Sequence, residues 1–303
     1  MVRQTAKVLF FEILGGLLFL AVAAAALVAV RLAQGPVELG VFKHEIEQAL
    51  SDIRDGREVR LERASLEWSP EARRLWVTAS GLEFRDSKGD VAGEADQAFI
   101  TFDASALFLG DLEIVALTLD GGFMRVDQIS PSIWSVAGEP LPPIPAGDFP
   151  DTPAEWLDTL NRILTAMIAE GQVAVPAMRL EDVSFRNLTL DLALQDGSRF
   201  MRLESAEGQL SREAGDLRLR VSGQGVGPGL PRGLAVDLRT SGGFETLTGD
   251  VAFADWSISA LATRIGVRDD RVTGLPADMG FRFEATRQNG LTGVSAEASA
   301  GGG

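Results

Sequence analysis

Residues 112–126 read LEIVALTLDGGFMRV. Their apolar side chains return every second position. Val115, Leu117 and Leu119 fall on one face of an extended chain, Ala116 and Thr118 on the other. A period of two marks a strand, because a helix would repeat every 3.6 residues. Asp120-Gly121-Gly122 tolerates positive φ, so it is expected to close a hairpin onto residues 123–126.

The alternation extends in both directions. Residues 57–68, 75–84 and 91–102 read as strands, separated by turn residues at 69–73 and 86–90. Further on, residues 178–185, 188–194, 200–210, 217–221, 234–240, 246–252, 257–265 and 280–286 follow the same rule. The expected fold is mainly β: a long curved antiparallel sheet, with a first unit over residues 57–130 and a second over 173–303. Residues 60–81, RLERASLEWSPEARRLWVTASG, align without gaps to residues 202–223, RLESAEGQLSREAGDLRLRVSG. Ten of these 22 positions are identical, and both copies read strand, polar turn, strand.

Two helices interrupt the pattern. Val41, Ile46, Leu50 and Ile53 recur at helical spacing among acids, which predicts a juxtamembrane amphipathic helix over 37–52 within a 34–56 segment. Residues 131–153 carry Pro140, Pro142, Pro143, Pro145 and Pro150 and read as an irregular link. The link leads into an amphipathic helix at 153–169, with Pro153 at its first position. The apolar stripe from Trp156 to Ile168 is expected to cover part of the sheet.

At the N-terminus, residues 8–30 read VLFFEILGGLLFLAVAAAALVAV. This run, from Val8 through Leu18 to Val30, is long enough to cross a bilayer core, which takes about 20 residues at ~1.5 Å each. Arg3 and Lys7 precede it and place the N-terminus in the cytoplasm. A cleaved signal peptide is the rival reading, but its apolar region is normally only ~7–15 residues. An uncleaved single-pass anchor is therefore expected, with residues 1–33 as cytoplasmic tip and membrane span.

Composition narrows the chemistry. The net charge of -15 lacks the basic footprint of a nucleic-acid binder. No cysteine is present, which excludes disulfides and thiol catalysis. His44 is the only histidine; without a second His or a Cys it cannot build a usual zinc site, and it reads as a solvated helix residue. Glu181-Asp182 and Asp269-Asp270 are adjacent pairs, which on strands point to opposite faces and converge poorly on a cation. The glycines at 223, 225, 227 and 229 precede Pro231 and another strand, not the helix a phosphate loop needs. The sequon at Asn187 lies among alternating leucines and reads as strand. No catalytic set is visible, so no enzyme activity, cofactor or metal is expected. Alternation leaves two meanings for the apolar face: the closed core of a sandwich, or an open groove.

The order of parts resembles the AsmA-like superfamily of Gram-negative bacteria, in particular its YhdP-type branch. The resemblance rests on the anchor, the amphipathic segment and the strand-turn-strand of residues 59–82. It continues through the Leu-Phe-Leu-Gly-Asp-Leu corner at 107–112, Phe123–Val126, the Pro-rich link with its helix, and residues 178–185. It implies an inner-membrane anchor, a periplasmic body and an apolar β-groove that conducts phospholipid between the two membranes. Val77, Val115, Leu117, Leu119, Leu190, Leu192, Leu217 and Leu219 would then face acyl chains. A non-enzymatic scaffold for outer-membrane biogenesis, docking envelope proteins on its sheet edges, is the alternative. About 13 strands at ~4.8 Å make a sheet of roughly 60 Å, too short to bridge two membranes alone, so the chain either is an N-terminal fragment of a longer protein, the favoured expectation, or works with partners.

Overall fold

The structure is a computed structural model. It describes residues 31, 35–69, 74–102, 114–130, 132–141, 158, 180–213, 215–227, 230–257, 259 and 276–300. The apolar run at 8–30, the corner at 107–112, most of the Pro-rich link, the 153–169 helix and most of the strand expected at 257–265 lie outside the described residues. Among the described residues no helix is long and apolar enough to cross a membrane.

The fold is mainly β, as alternation requires. Among the described residues one sheet takes up sixteen strands. They are β1 (Val37–Glu38), β2 (Val59–Arg60), β3 (Arg63–Ser69), β4 (Arg74–Arg85), β5 (Val91–Phe102), β6 (Ile114–Asp120), β7 (Phe123–Ser130), β8 (Ile133–Val136) and β9 (Glu139–Pro140). After the link come β10 (Asp182–Ala193), β11 (Arg199–Glu213), β12 (Asp216–Gly225), β13 (Gly233–Ser241), β14 (Thr246–Ser257), β15 (Pro276–Thr286) and β16 (Gly290–Ala300). A Gly40–Phe42 3-10 turn leads into the one short helix described, α1 (Lys43–Ile53). It starts later than the expected 37–52 because Val37 and Glu38 are already paired with Leu66 and Ser65 of β3.

The sheet is mixed, which corrects the antiparallel expectation. Its neighbours run antiparallel except at one junction. There β10 lies parallel to β6, Asp182 to Arg186 beside Ala116 to Asp120, and parallel to β7, Thr189 to Ala193 beside Phe123 to Asp127. Strands β6 and β7 therefore point the same way. The hairpin expected at Asp120-Gly121-Gly122 does not form. The ladder with β5 runs straight through it: Gln97 faces Asp120 and Glu94 faces Phe123 in one register. Positive φ at Gly121 (72°) and Gly122 (95°) bends a single line of chain without reversing it.

That bend recurs across the sheet as a crease. Gly81 in β4, Asn187 in β10, Ser205 in β11 and Asp255 in β14 also have positive φ. At each crossing two successive residues face outward and the inward positions become three apart. Ala79 and Leu82, Ala95 and Ala98, Leu203 and Ala206 are all buried, with the pairs between them turned out. In β14 the same spacing brings the Phe253 and Trp256 rings to 4.7 Å. Such local bulges bend a strand and tighten the local twist of the sheet. They also explain why residues 178–194 read as two strands: β10 is one, but its inward parity changes from Val183 and Phe185 to Leu188, Leu190 and Leu192 at Asn187.

The core lies on one face of the N-terminal half. Ile46 and Leu50 of α1 join Val59, Leu61, Ala64, Val77, Ala79, Leu82, Ile100, Leu119 and Leu188 in one cluster. Glu47 and Ser51 on the same helix accept the backbone amides of Leu61 (3.1 Å) and Val59 (3.1 Å). Buried Arg54 at the helix end donates to the carbonyls of Ala137 (2.5 Å) and Glu58 (3.3 Å) and lies over the Phe84 ring. It thereby ties α1 to the β8–β9 hairpin, an element the proline count had hidden.

The opposite face is charged and laced by cross-strand pairs. Arg218 donates to Asp237 through two nitrogens (3.1 and 2.6 Å), Arg282 to Asp250 (2.6 Å) and Arg186 to Asp120 (2.9 Å). Hydrogen bonding from Arg218 holds the Asp237 carboxyl below the ordinary aspartate range. A carboxyl lowered by folding stabilises above its unfolded pKa of about 3.9, and that contribution disappears as pH falls through the folded value. Asp237→Asn should therefore lower stability modestly at neutrality and leave it unchanged once pH falls below the folded value, which flattens the acid limb below about pH 4. Urea midpoints measured at both pH values check this; an unchanged acid limb refutes it.

Candidate functional site

The ladders align the inward residues into rows that run across the strands. One row is Leu66, Val77, Ile100, Leu117, Val183, Leu210, Leu219, Leu238, Gly249, Phe283 and Val294. The next is Ala64, Ala79, Ala98, Leu119, Phe185, Gly208, Val221, Val236, Val251, Phe281 and Ala296. Neither row contains a polar side chain. Ten strand spacings of about 4.8 Å make each roughly 48 Å long. The two glycines are no gaps: a Cβ at Gly208 would meet the Phe185 ring and one at Gly249 the Phe283 ring, so each ring lies over a glycine.

The two ends of this strip differ. Over β3 to β5 it is closed, with Val77 only 6% exposed and Ile100 fully buried. Over β12 to β16 it opens in part, around Phe283, which stays buried at 7%. Val221, Val236 and Val251 are half-buried, Phe281 is 36% and Val294 47% exposed. Among the described residues, the apolar cluster here consists only of the strands' own side chains: Leu247, Phe283 and Ala285 with Leu238, Val251 and Leu291.

No family model, curated protein or solved structure matches the chain. Its chemistry therefore has to be read from the strip itself.

The eight residues expected to face lipid are placed as follows. Val77, Leu117, Leu119 and Leu219 stand in the two rows, and Leu217 is the next inward residue of β12. Leu190 and Leu192 are inward beyond the crease, where Phe84, Gly93, Met124, Leu190 and Leu203 align. Val77, Leu119, Leu190 and Leu217 are buried; Leu117, Leu192 and Leu219 are half-buried. Val115 departs from the set. A bulge pairs Thr101 with Ala116 and Phe102 with Ile114, so Val115 has no partner in β5 and Ile114 takes the buried position. The open end of the strip, Val236, Val251 and Phe281, was not among the eight, although its alternation was the same signal.

A separate depression of about 780 Å³ crosses β10 to β16. Two outward residues per strand line it for each inward one, such as Arg220 and Ser222, Asp237 and Ala235, or Asp250 and Ala252. It therefore opens on the charged face, where short side chains leave a trough between ion pairs. Among the described residues no cluster of His, Cys, Asp or Glu could hold a metal ion.

Proposed function

We propose that the chain is a non-enzymatic, membrane-anchored protein whose apolar strip binds phospholipid acyl chains and passes them along the sheet, with its body in the periplasm. The observation that carries this reading is the pair of unbroken apolar rows spanning eleven strands, left open over β12 to β16. Contact with such a strip is non-directional and scales with apolar area, so many lipids of similar shape would fit. The 23-residue apolar run at 8–30 supports the anchor.

A photo-crosslinking residue at Val236, on the strip, and another at Asp237, on the charged face, test this in cells. Lipid adducts at position 236 and none at 237 are expected. An adduct of position 236 to the chain itself, or to another protein, would show that the strip is a covered core or an interface.

One observation favours the scaffold reading. Among the described residues β16 pairs only with β15, and residues 292–299 are all exposed. An open edge can add a partner strand through its backbone. Protein adducts from positions on β16, without lipid adducts at Val236, would favour that function.

A further inference from the structure

Val41 is 86% and Phe42 55% exposed, and they are the only adjacent pair of large apolar residues exposed to that degree among those described. They sit on the Gly40–Phe42 turn, which is held at both ends. Upstream, Val37 and Glu38 are laddered to β3, and the Leu39 amide donates to the Ala64 carbonyl (2.8 Å). Downstream, α1 is fixed by Ile46 and Leu50 in the core. Nothing lets this knuckle fold its two side chains back onto the sheet. A turn held at both ends keeps Val and Phe side by side in solvent, a small apolar patch available to an apolar phase.

Sequence distance indicates which phase. Val41 follows the end of the apolar run, Val30, by eleven residues (41 minus 30). Even fully extended, that length reaches no more than about 40 Å. Glu38, His44 and Glu45 around the knuckle are exposed and stay in water, which limits its depth to two side chains.

We propose that Val41 and Phe42 insert into the lipid–water interface next to the anchor, so that α1 and the first strands are held against the bilayer. This rests on the anchored reading of residues 8–30 and adds a second, shallow point of attachment. Two points of attachment fix the orientation of the body, which one would not.

The chain has no cysteine, so one introduced cysteine carries a nitroxide uniquely. The experiment uses the full chain in vesicles of phosphatidylethanolamine and phosphatidylglycerol. Labels go at Val41→Cys and, separately, at Phe42→Cys, with Ala24→Cys inside the run and Asp96→Cys on the outer face as references. Collision with oxygen relative to a water-soluble nickel chelate should be several-fold higher at 41 and 42 than at 96, approaching the value at 24. Labels at 41 and 42 as aqueous as that at 96, with 24 in lipid, overturn the proposal and leave the anchor intact. Labels shielded from both reagents indicate a protein partner and overturn it as well. An aqueous label at 24 removes the anchor and the proposal together.

Discussion

Val236→Glu is expected to leave the protein folded and to strip it of lipid. Val236 is half-buried in the open part of the strip, between Val221 and Val251 in its row. An ionised carboxylate there keeps its water while the strip is empty, so the cost to folding is small, about 1 kcal/mol. Laying an acyl chain over it forces desolvation of the charge, at a cost of several kcal/mol. Each 1.4 kcal/mol is tenfold in affinity, so lipid occupancy should drop by about a hundredfold or more. Native mass spectrometry of the purified full chain reads the occupancy directly, and urea melts read the fold. Asp237→Ala, one residue away on the other face, is the control and should retain lipid. Wild-type lipid content in Val236→Glu would remove the basis for the strip as a binding surface.

Gly122→Ala should be among the most damaging single-methyl additions in the molecule. Gly122 has φ of 95°, and a Cβ there would collide with the carbonyl of Glu94 and approach the Ala95 Cα at 3.0 Å. Both obstacles are backbone of β5 and can yield only if the ladder shifts. Left-handed strain and the collision together should cost about 4 kcal/mol. Gly121 is an internal comparison. Its Cβ would meet the Asp96 carboxylate, the mobile end of an exposed side chain, so Gly121→Ala should cost only about 1–2 kcal/mol, the strain alone. Chemical denaturation of the two variants checks the order. Equal losses, or a larger loss for Gly121→Ala, would mean that the crease is not built as described.

Much of the strip was legible because a two-residue period is a local property. Leu117, Leu119, Leu217 and Leu219 reveal their shared side before any neighbour is known. What could not be read is how chain segments neighbour one another. Positive-φ glycines at 121 and 122 satisfy a tight reversal and a bend equally well. The difference was made by β5 and β10, which continue past both residues in unbroken register. Strand β16 is not legible in the sequence because Gly290–Ala300 is built mainly of Gly, Ala, Ser and Thr, with Leu291 and Val294 as its only large apolar side chains. Its extended form comes from pairing with β15.

The internal alignment shows both kinds of information. Residues 60–81 and 202–223 fall on the β3–β4 and β11–β12 hairpins. Ser69 pairs with Arg74, five positions on, whereas Glu213 pairs with Asp216, three positions on. The ladders differ by an even step, so inward residues stay inward: Leu66 and Val77 in one hairpin, Gly208 and Leu219 in the other. Sidedness was preserved while pairing moved, and only sidedness is written in the alternation.

The crease also sets the mechanical character of the sheet. The inner strands resist bending along most of their length because they are hydrogen-bonded on both sides. Left-handed residues in β4, between β6 and β7, in β10 and β11, and again in β14 concentrate compliance in one direction. Small torsional changes shared by these strands would swing the two flanks like the covers of a book. The angle between the flanks would then change with no strand leaving its neighbour.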